Sequence, residues 1–194
     1  MEKTFLFTYL TLLLTSLSYS QKNTNEFQIY YGLVDTELLN TKGLDGTGGI
    51  DLSNSFEFGV KYLRYLSDNF SIGTGINYQY SKVTIRSNYN GIHTIYGNED
   101  LKIISIPFHA NYMFWNFVFI NAGPILDIQT SSNSVDSQSG IGYAIGFGGI
   151  YRFNQISIFI NPNFKRHAFI PFNKESYHRK LTELGLQLGI GYTF

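Results

Sequence analysis

The closing stretch from Leu181 to Phe194, LTELGLQLGIGYTF, limits what this chain can fold into more than any other part of it. Leu184, Leu186, Leu188, Ile190, Tyr192 and Phe194 share one parity, and Gly185, Gln187, Gly189, Gly191 and Thr193 share the other. Successive side chains leave a β-strand on opposite faces, so a period of two marks a strand. One face is large and apolar and ends in two aromatics, while the other is too small and too polar to build an ordinary core. A strand with an apolar outside and a small or polar inside suits a barrel that crosses a membrane. The alternative at this point is the last strand of a soluble sandwich that happens to end in Phe.

The alternation recurs upstream. Phe27, Ile29, Tyr31 and Leu33 mark a first strand, and Phe56, Phe58, Val60 and Tyr62 a second, with Glu57, Gly59 and Lys61 on its reverse. Phe70, Ile72, Thr74, Ile76, Tyr78 and Tyr80 form a third. Ile104, Ile106, Phe108, Ala110, Tyr112 and Phe114 form a fourth, backed by Ser105, Pro107, His109 and Asn111. Val118, Ile120, Ala122, Pro124 and Leu126 share one face of a fifth. Ile141, Tyr143, Ile145, Phe147 and Tyr151 alternate with small residues in a sixth, and Ile156, Ile158 and Ile160 mark a seventh. With the terminal strand this makes about eight, the smallest even number found in single-chain outer-membrane barrels.

The connections sort by length. Short turns are expected at Ser67-Asp68-Asn69, at Trp115-Asn116 and near Phe153 to Gln155. Long polar connections are expected from Asn40 to Asp51, from about Lys82 to Asp100, from Thr130 to Ser139 and, as a basic loop, from Phe164 to Lys180. A membrane barrel with both termini in the periplasm alternates periplasmic turns with longer extracellular loops in this way. A soluble sandwich has no reason to do so.

The N-terminal residues Met1 to Ser20 carry Lys3, an apolar run from Phe5 to Leu14 and small residues at Ser18 and Ser20. These read as a secretory signal peptide with cleavage after Ser20, leaving residues 21–194 as the barrel domain. The run is short for a spanning helix and no later stretch is apolar for long enough to be one, so any membrane crossing must be made by strands. Only 14% of the residues are charged and 17% are aromatic, against about 25% charged in ordinary globular proteins. Much of the surface therefore need not face water. The chain has no cysteine, which excludes disulfides, thiolate metal sites, cysteine catalysis and a lipid-modified cysteine. Its formal net charge is zero, which supplies no electrostatic case for nucleic acid as a partner.

The terminal strand resembles the C-terminal targeting strand of Gram-negative outer-membrane barrels. That likeness implies that Tyr192 and the final Phe194 serve as an assembly signal read by the barrel-assembly machinery. On a larger scale, LKIISIPFHANYMF (Leu101 to Phe114), FVFINAGP (Phe117 to Pro124) and GLQLGIGYTF (Gly185 to Phe194) resemble the PorT-like, OmpA/OmpX-sized outer-membrane β-barrel family. The resemblance runs from about Phe27 to Phe194. It implies a small barrel surrounded by outer-membrane lipid. PorT itself is linked to secretion and gliding machinery, so the likeness also raises an envelope protein partner.

Residue types that carry chemistry are few. Gly140, Gly142, Gly146 and Gly148 superficially match a phosphate-binding loop, but strict alternation continues through them and no helix begins, so they read as inward-facing barrel glycines. His109 shares its parity with Ser105, and Asp127 lies on the inward parity of the next strand. A Ser-His-Asp site is conceivable there, yet an inward face does not reach lipid and nothing supplies an oxyanion hole. The competing reading is a polar network in the lumen made by Glu57, Lys61, His109 and Asp127, in which Glu57 or Asp127 pairs with Lys61 or another inward base, because buried charges need partners. His93, His167 and His178 fall in expected loops without metal-site spacing, and no metal or cofactor is expected.

Lys165, Arg166, His167, Arg179 and Lys180 flank the last loop, as a solvated rim or as contacts for lipopolysaccharide phosphates. Phe114, Trp115, Phe153, Tyr192 and Phe194 suit an interfacial aromatic girdle. Asn90-Gly91 favours a tight hairpin turn; it marks either an inert extended loop or the tip of a protruding hairpin that binds a partner by strand addition. The expectation is an all-β, eight-stranded antiparallel up-and-down transmembrane barrel in the outer membrane, monomeric and not an enzyme, with a structural or interaction role. The alternatives are an outer-membrane lipid-modifying enzyme and a soluble lipocalin-like binder.

Overall fold

Seven alternating segments and one terminal strand, each apolar on one face, have to hide their backbone polar groups from hydrocarbon, and a closed barrel does this because it leaves no edge. The computed structural model describes residues 24–40, 50–89, 92–131, 136–173 and 179–194. Its strands are β1 (Asn25–Asn40), β2 (Ile50–Tyr65), β3 (Phe70–Tyr89), β4 (Ile92–Phe114), β5 (Val118–Gln129), β6 (Gly140–Phe153), β7 (Ile156–Pro171) and β8 (Arg179–Thr193). They close in sequence order, β1 pairing with β8, and every pairing is antiparallel. The seam is tied at its end by Asn25 N–H donating to the Phe194 carbonyl (2.9 Å) and Phe194 N–H donating to the Asn25 carbonyl (2.8 Å). The Met1 to Ser20 segment lies outside the described residues.

The side chains are arranged inside out relative to a water-soluble protein. Leu184, Ile190 and Phe147 are 65%, 61% and 62% exposed, whereas Glu26, Glu57, Asp127 and His167 are all at 0%. Water-soluble domains bury the first kind of residue and not the second. An unbroken apolar belt of this extent needs hydrocarbon around it, so the barrel spans a bilayer. The lipocalin-like alternative required the apolar faces to point inward, and the structure overturns it. Aromatics mark both edges of the belt: Tyr112, Phe114, Trp115 and Phe117 contact one another in succession beside the β4–β5 turn, and Tyr31, Phe56 and Tyr80 stack toward the other end. This is the interfacial placement of membrane aromatics.

The long connections are shorter than the sequence suggests. The Lys82 to Asp100 stretch, expected as a loop, is strand almost throughout: β3 and β4 pair up to Tyr89 opposite Ile92. His93 therefore lies in β4 rather than in a loop. The basic Phe164 to Lys180 stretch is likewise mostly strand, with β7 reaching Pro171 and β8 beginning at Arg179. In the Phe164 to Lys180 run polar residues misled the reading because a narrow barrel accepts side chains such as Lys165 and His167 on its inner face. Asn90, Gly91 and His178 lie outside the described residues.

Candidate functional site

The lumen holds the barrel's buried polar chemistry, and the glycine parity explains why there is room for it. A methyl group on Gly142 would meet Asp127; on Gly146 it would meet Asn121 and Asn161; on Gly185 it would meet Asn163. These inward glycines thus make space for polar side chains from neighbouring strands, while others, such as Gly148 and Gly189, make space for the Phe119 and Phe159 rings.

The upper lumen, toward the long connections, contains Glu57 from β2, Asp127 from β5, Lys165 and His167 from β7, and Glu183 from β8, all buried. Lys165 bonds to Glu57 in a very close ion pair and stands 3.5 Å from Glu183. His167 lies between two carboxylates, Nδ1 at 3.0 Å from Asp127 and Nε2 at 3.1 Å from Glu183. These are ion-pair distances without hydrogen-bond alignment. Asp127 also accepts from Ser105 Oγ at 2.6 Å, and Gln79 bonds to Glu183. Below them Lys61 donates to Gln187 Oε1 (2.8 Å) and covers the Tyr30 ring at 4.4 Å, while Gln187 Nε2 donates on to Glu57 (2.9 Å). Asn161 Nδ2 donates to Gln187 as well, and Asn121 Nδ2 donates to Asn161. Three carboxylates, Glu57, Asp127 and Glu183, thus stand beside Lys165 and His167, with Lys61 just below.

Of the expected network of Glu57, Lys61, His109 and Asp127, the structure brings Glu57 to Lys165 and Asp127 to His167. Lys61 meets an amide rather than a carboxylate. His109 faces inward, yet its Nε2 has no hydrogen-bond partner, so it does not join. The loop reading of His167, and of Lys165 as part of a lipopolysaccharide-facing rim, is overturned: both side chains point into the lumen because they continue the inward parity of Asn161 and Asn163. A bulge follows, where Ala168 adopts φ 43° and is buried beside His167. Lys180, from the same expected rim, donates to the Phe169 carbonyl at 2.9 Å. Gln187 already lies on the inward parity of the terminal strand, and Glu183 and Lys165 were findable by carrying strand parity farther, from Gly185 back to Glu183 and from Ile160 on to Lys165.

Two apolar layers bracket the network. Val83, Leu101, Ile103 and Leu181, all fully buried, close the lumen toward the long connections. Above them the segment leading into β6 is pinned across the mouth onto β8: Leu181 N–H donates to Gln138 Oε1 (2.9 Å), Gln138 Nε2 to the Arg179 carbonyl (2.8 Å) and Arg179 N–H to Asp136 Oδ2 (2.7 Å). Tyr30, Met113, Ile150 and Phe159 form the lower layer.

The chemistry open to the lumen is limited by this arrangement. Ser105 donates to Asp127, not to a histidine, so the Ser-His-Asp relay is not assembled. Among the described residues no group of three His, Asp or Glu could hold a metal ion. The arrangement does suit a rigid interior, in which each buried ion is held by partners on other strands.

No protein-family model matches the chain, and no curated protein matches it. Solved structures do. The outer-membrane protein OprG from Pseudomonas aeruginosa is 12% identical, with a TM-score of 0.55 over 90% of this chain and 97% of that one. AlkL, an outer-membrane protein determined in lipid bilayers, is 12% identical, with a TM-score of 0.55 over 90% of this chain and 91% of that one. At that identity the likeness concerns the fold. Together with the apolar exterior and polar interior of this chain, which are the marks of an outer-membrane barrel, it makes the outer membrane the protein's location.

Proposed function

We propose that the protein is a surface interaction protein, in which a rigid barrel holds one hairpin clear of the outer membrane for a partner to bind. The observation that carries this reading is the reach of β3 and β4. Their ladder continues to Tyr89 opposite Ile92, whereas the β4–β5 ladder starts only at Ile103 opposite Gln129. Among the described residues, the backbone of β4 from Ile92 to about Leu101 thus has one edge without a ladder partner. An open strand edge is a template for another extended chain. The expected turn at Asn90-Gly91 lies in sequence between Tyr89 and Ile92, outside the described residues.

The sealed upper lumen supports interaction over solute passage. The non-enzymatic reading is supported by the pairing of Ser105 with Asp127 and by the distance of the whole network from lipid. Tyr192 and Phe194 both lie on the lipid-facing parity of β8, which agrees with their reading as the assembly signal. The finer reading, a PorT-like barrel serving in a secretion assembly as a monomer, rests on the sequence resemblance. It expects a stoichiometric envelope protein to co-purify from detergent-solubilised membranes.

The hairpin is tested by replacing Ser87 to Tyr96 with a two-residue Asn-Gly turn and placing a photo-crosslinking residue at Glu99, which is exposed. Full-length protein is expected to give a discrete crosslinked partner in cells, and the shortened barrel is expected to lose it while still changing mobility on gels upon boiling. Undiminished crosslinking by the shortened barrel, or no crosslinked protein with either form, would rule the reading out.

A further inference from the structure

At the opposite end, the short turns together with Thr24 and Thr193 surround a vestibule of about 780 Å3. Asn69, Asn116 and Asn154 line it from the three turns, and Arg152 is the only cation lining it among the described residues. Tyr65, Asn69, Met113, Ile150 and Arg152 also line a second, smaller cavity of about 30 Å3 deeper in the barrel. These five residues therefore stand between the vestibule and the lumen.

Arg152 is not used up by its nearest carboxylate. Glu26, fully buried, already accepts from Gln28 Nε2 (2.9 Å), Ser157 Oγ (2.6 Å) and Tyr65 OH (2.5 Å). The Arg152 guanidinium stands 3.6 Å from it, beyond good hydrogen-bond length. Its own donations go from Nη2 to Tyr65 OH (2.6 Å) and from Nη1 to Met113 Sδ (2.9 Å), and thioether sulfur is a weak acceptor. A guanidinium has five N–H donors in a planar fork that matches a carboxylate, so most of the fork remains uncommitted on a side chain that is 29% exposed.

We propose that this periplasmic vestibule binds a single carboxylate on an apolar stem, with the carboxylate on Arg152 and the stem against Met113 and Ile150. Asp68 also lines the space, and a negative wall residue repels a doubly charged anion such as phosphate more than a single carboxylate. The inference is independent of the extracellular hairpin, since it concerns the other end of the barrel.

The test is an NMR titration of the full-length, isotope-labelled barrel in micelles with N-acetyl-leucine. N-acetyl-leucinamide, which lacks the charge, and inorganic phosphate serve as comparisons. N-acetyl-leucine is expected to shift the Arg152 side-chain signals and the amides of Asn69, Asn116 and Asn154 saturably, and the two comparisons much less. Arg152→Gln is expected to weaken binding at least tenfold while the boiling-dependent gel shift is kept. Asn116→Asp, which adds a negative charge to the wall without touching the Arg152 contacts, is expected to weaken it too and covers the case in which the arginine variant fails to fold. Absence of saturable shifts, equal binding of the amide, or unchanged binding in both variants would overturn the proposal.

Discussion

Lys165 shows how a single residue is judged by its partners rather than by its type. It is buried between Glu57 and Glu183, and removing one member of a buried ion pair costs about 3–5 kcal/mol because the other charge is left without compensation. Lys165→Met is therefore expected to lower the stability of the folded barrel by about that amount, read as a shift in the urea unfolding midpoint in lipid vesicles. Adding Glu57→Gln, which removes the orphaned charge and keeps an acceptor for Gln187, is expected to recover most of the loss. A double variant no better than the single one would show that the pair is not the source. Parity alone pointed Glu57, Lys61 and Asp127 inward. It did not reveal which bases they meet, because Lys165 and His167 lie more than a hundred or about forty residues away from them in the chain, and sequence spacing carries no information on contacts around a barrel.

Strands are the scale at which the sequence was most readable. Alternation located all eight, and the apolar parity of each is the outward one. What alternation missed was where strands end, since polar inner faces continue into stretches that look like loop. The glycines show a second limit. Parity turns Gly123 inward and puts Gly149 on the apolar face but does not say what either meets: a methyl on Gly123 would meet the Phe108 backbone carbonyl, whereas one on Gly149 would find only ordinary contact with Ile160 and the Phe117 carbonyl. Gly123→Ala is expected to destabilise by about 1–3 kcal/mol, the usual cost of overpacking, and Gly149→Ala by less than about 0.5 kcal/mol. Unfolding midpoints of the two variants, measured side by side, check this; equal midpoints would contradict it.

The whole molecule is defined by which side faces hydrocarbon. Leu188 lies midway along the outward residues of β8 and is 53% exposed. Leu188→Arg is expected to cost about 2–4 kcal/mol, the penalty for a basic residue near the bilayer midplane of a barrel, as read from folding into vesicles. A soluble barrel would barely respond to that change. The sequence by itself determined the strand count, the direction each face takes and the membrane as surroundings, because period and residue size are local properties that every strand states on its own. Only the tertiary structure decided that Lys165 and His167 answer the acidic residues, that Leu101 and Leu181 close one end, and that Arg152 faces open space at the other. Those facts arise when distant strands are wrapped around a common axis, and the curvature that brings them together is written in no single stretch of the chain.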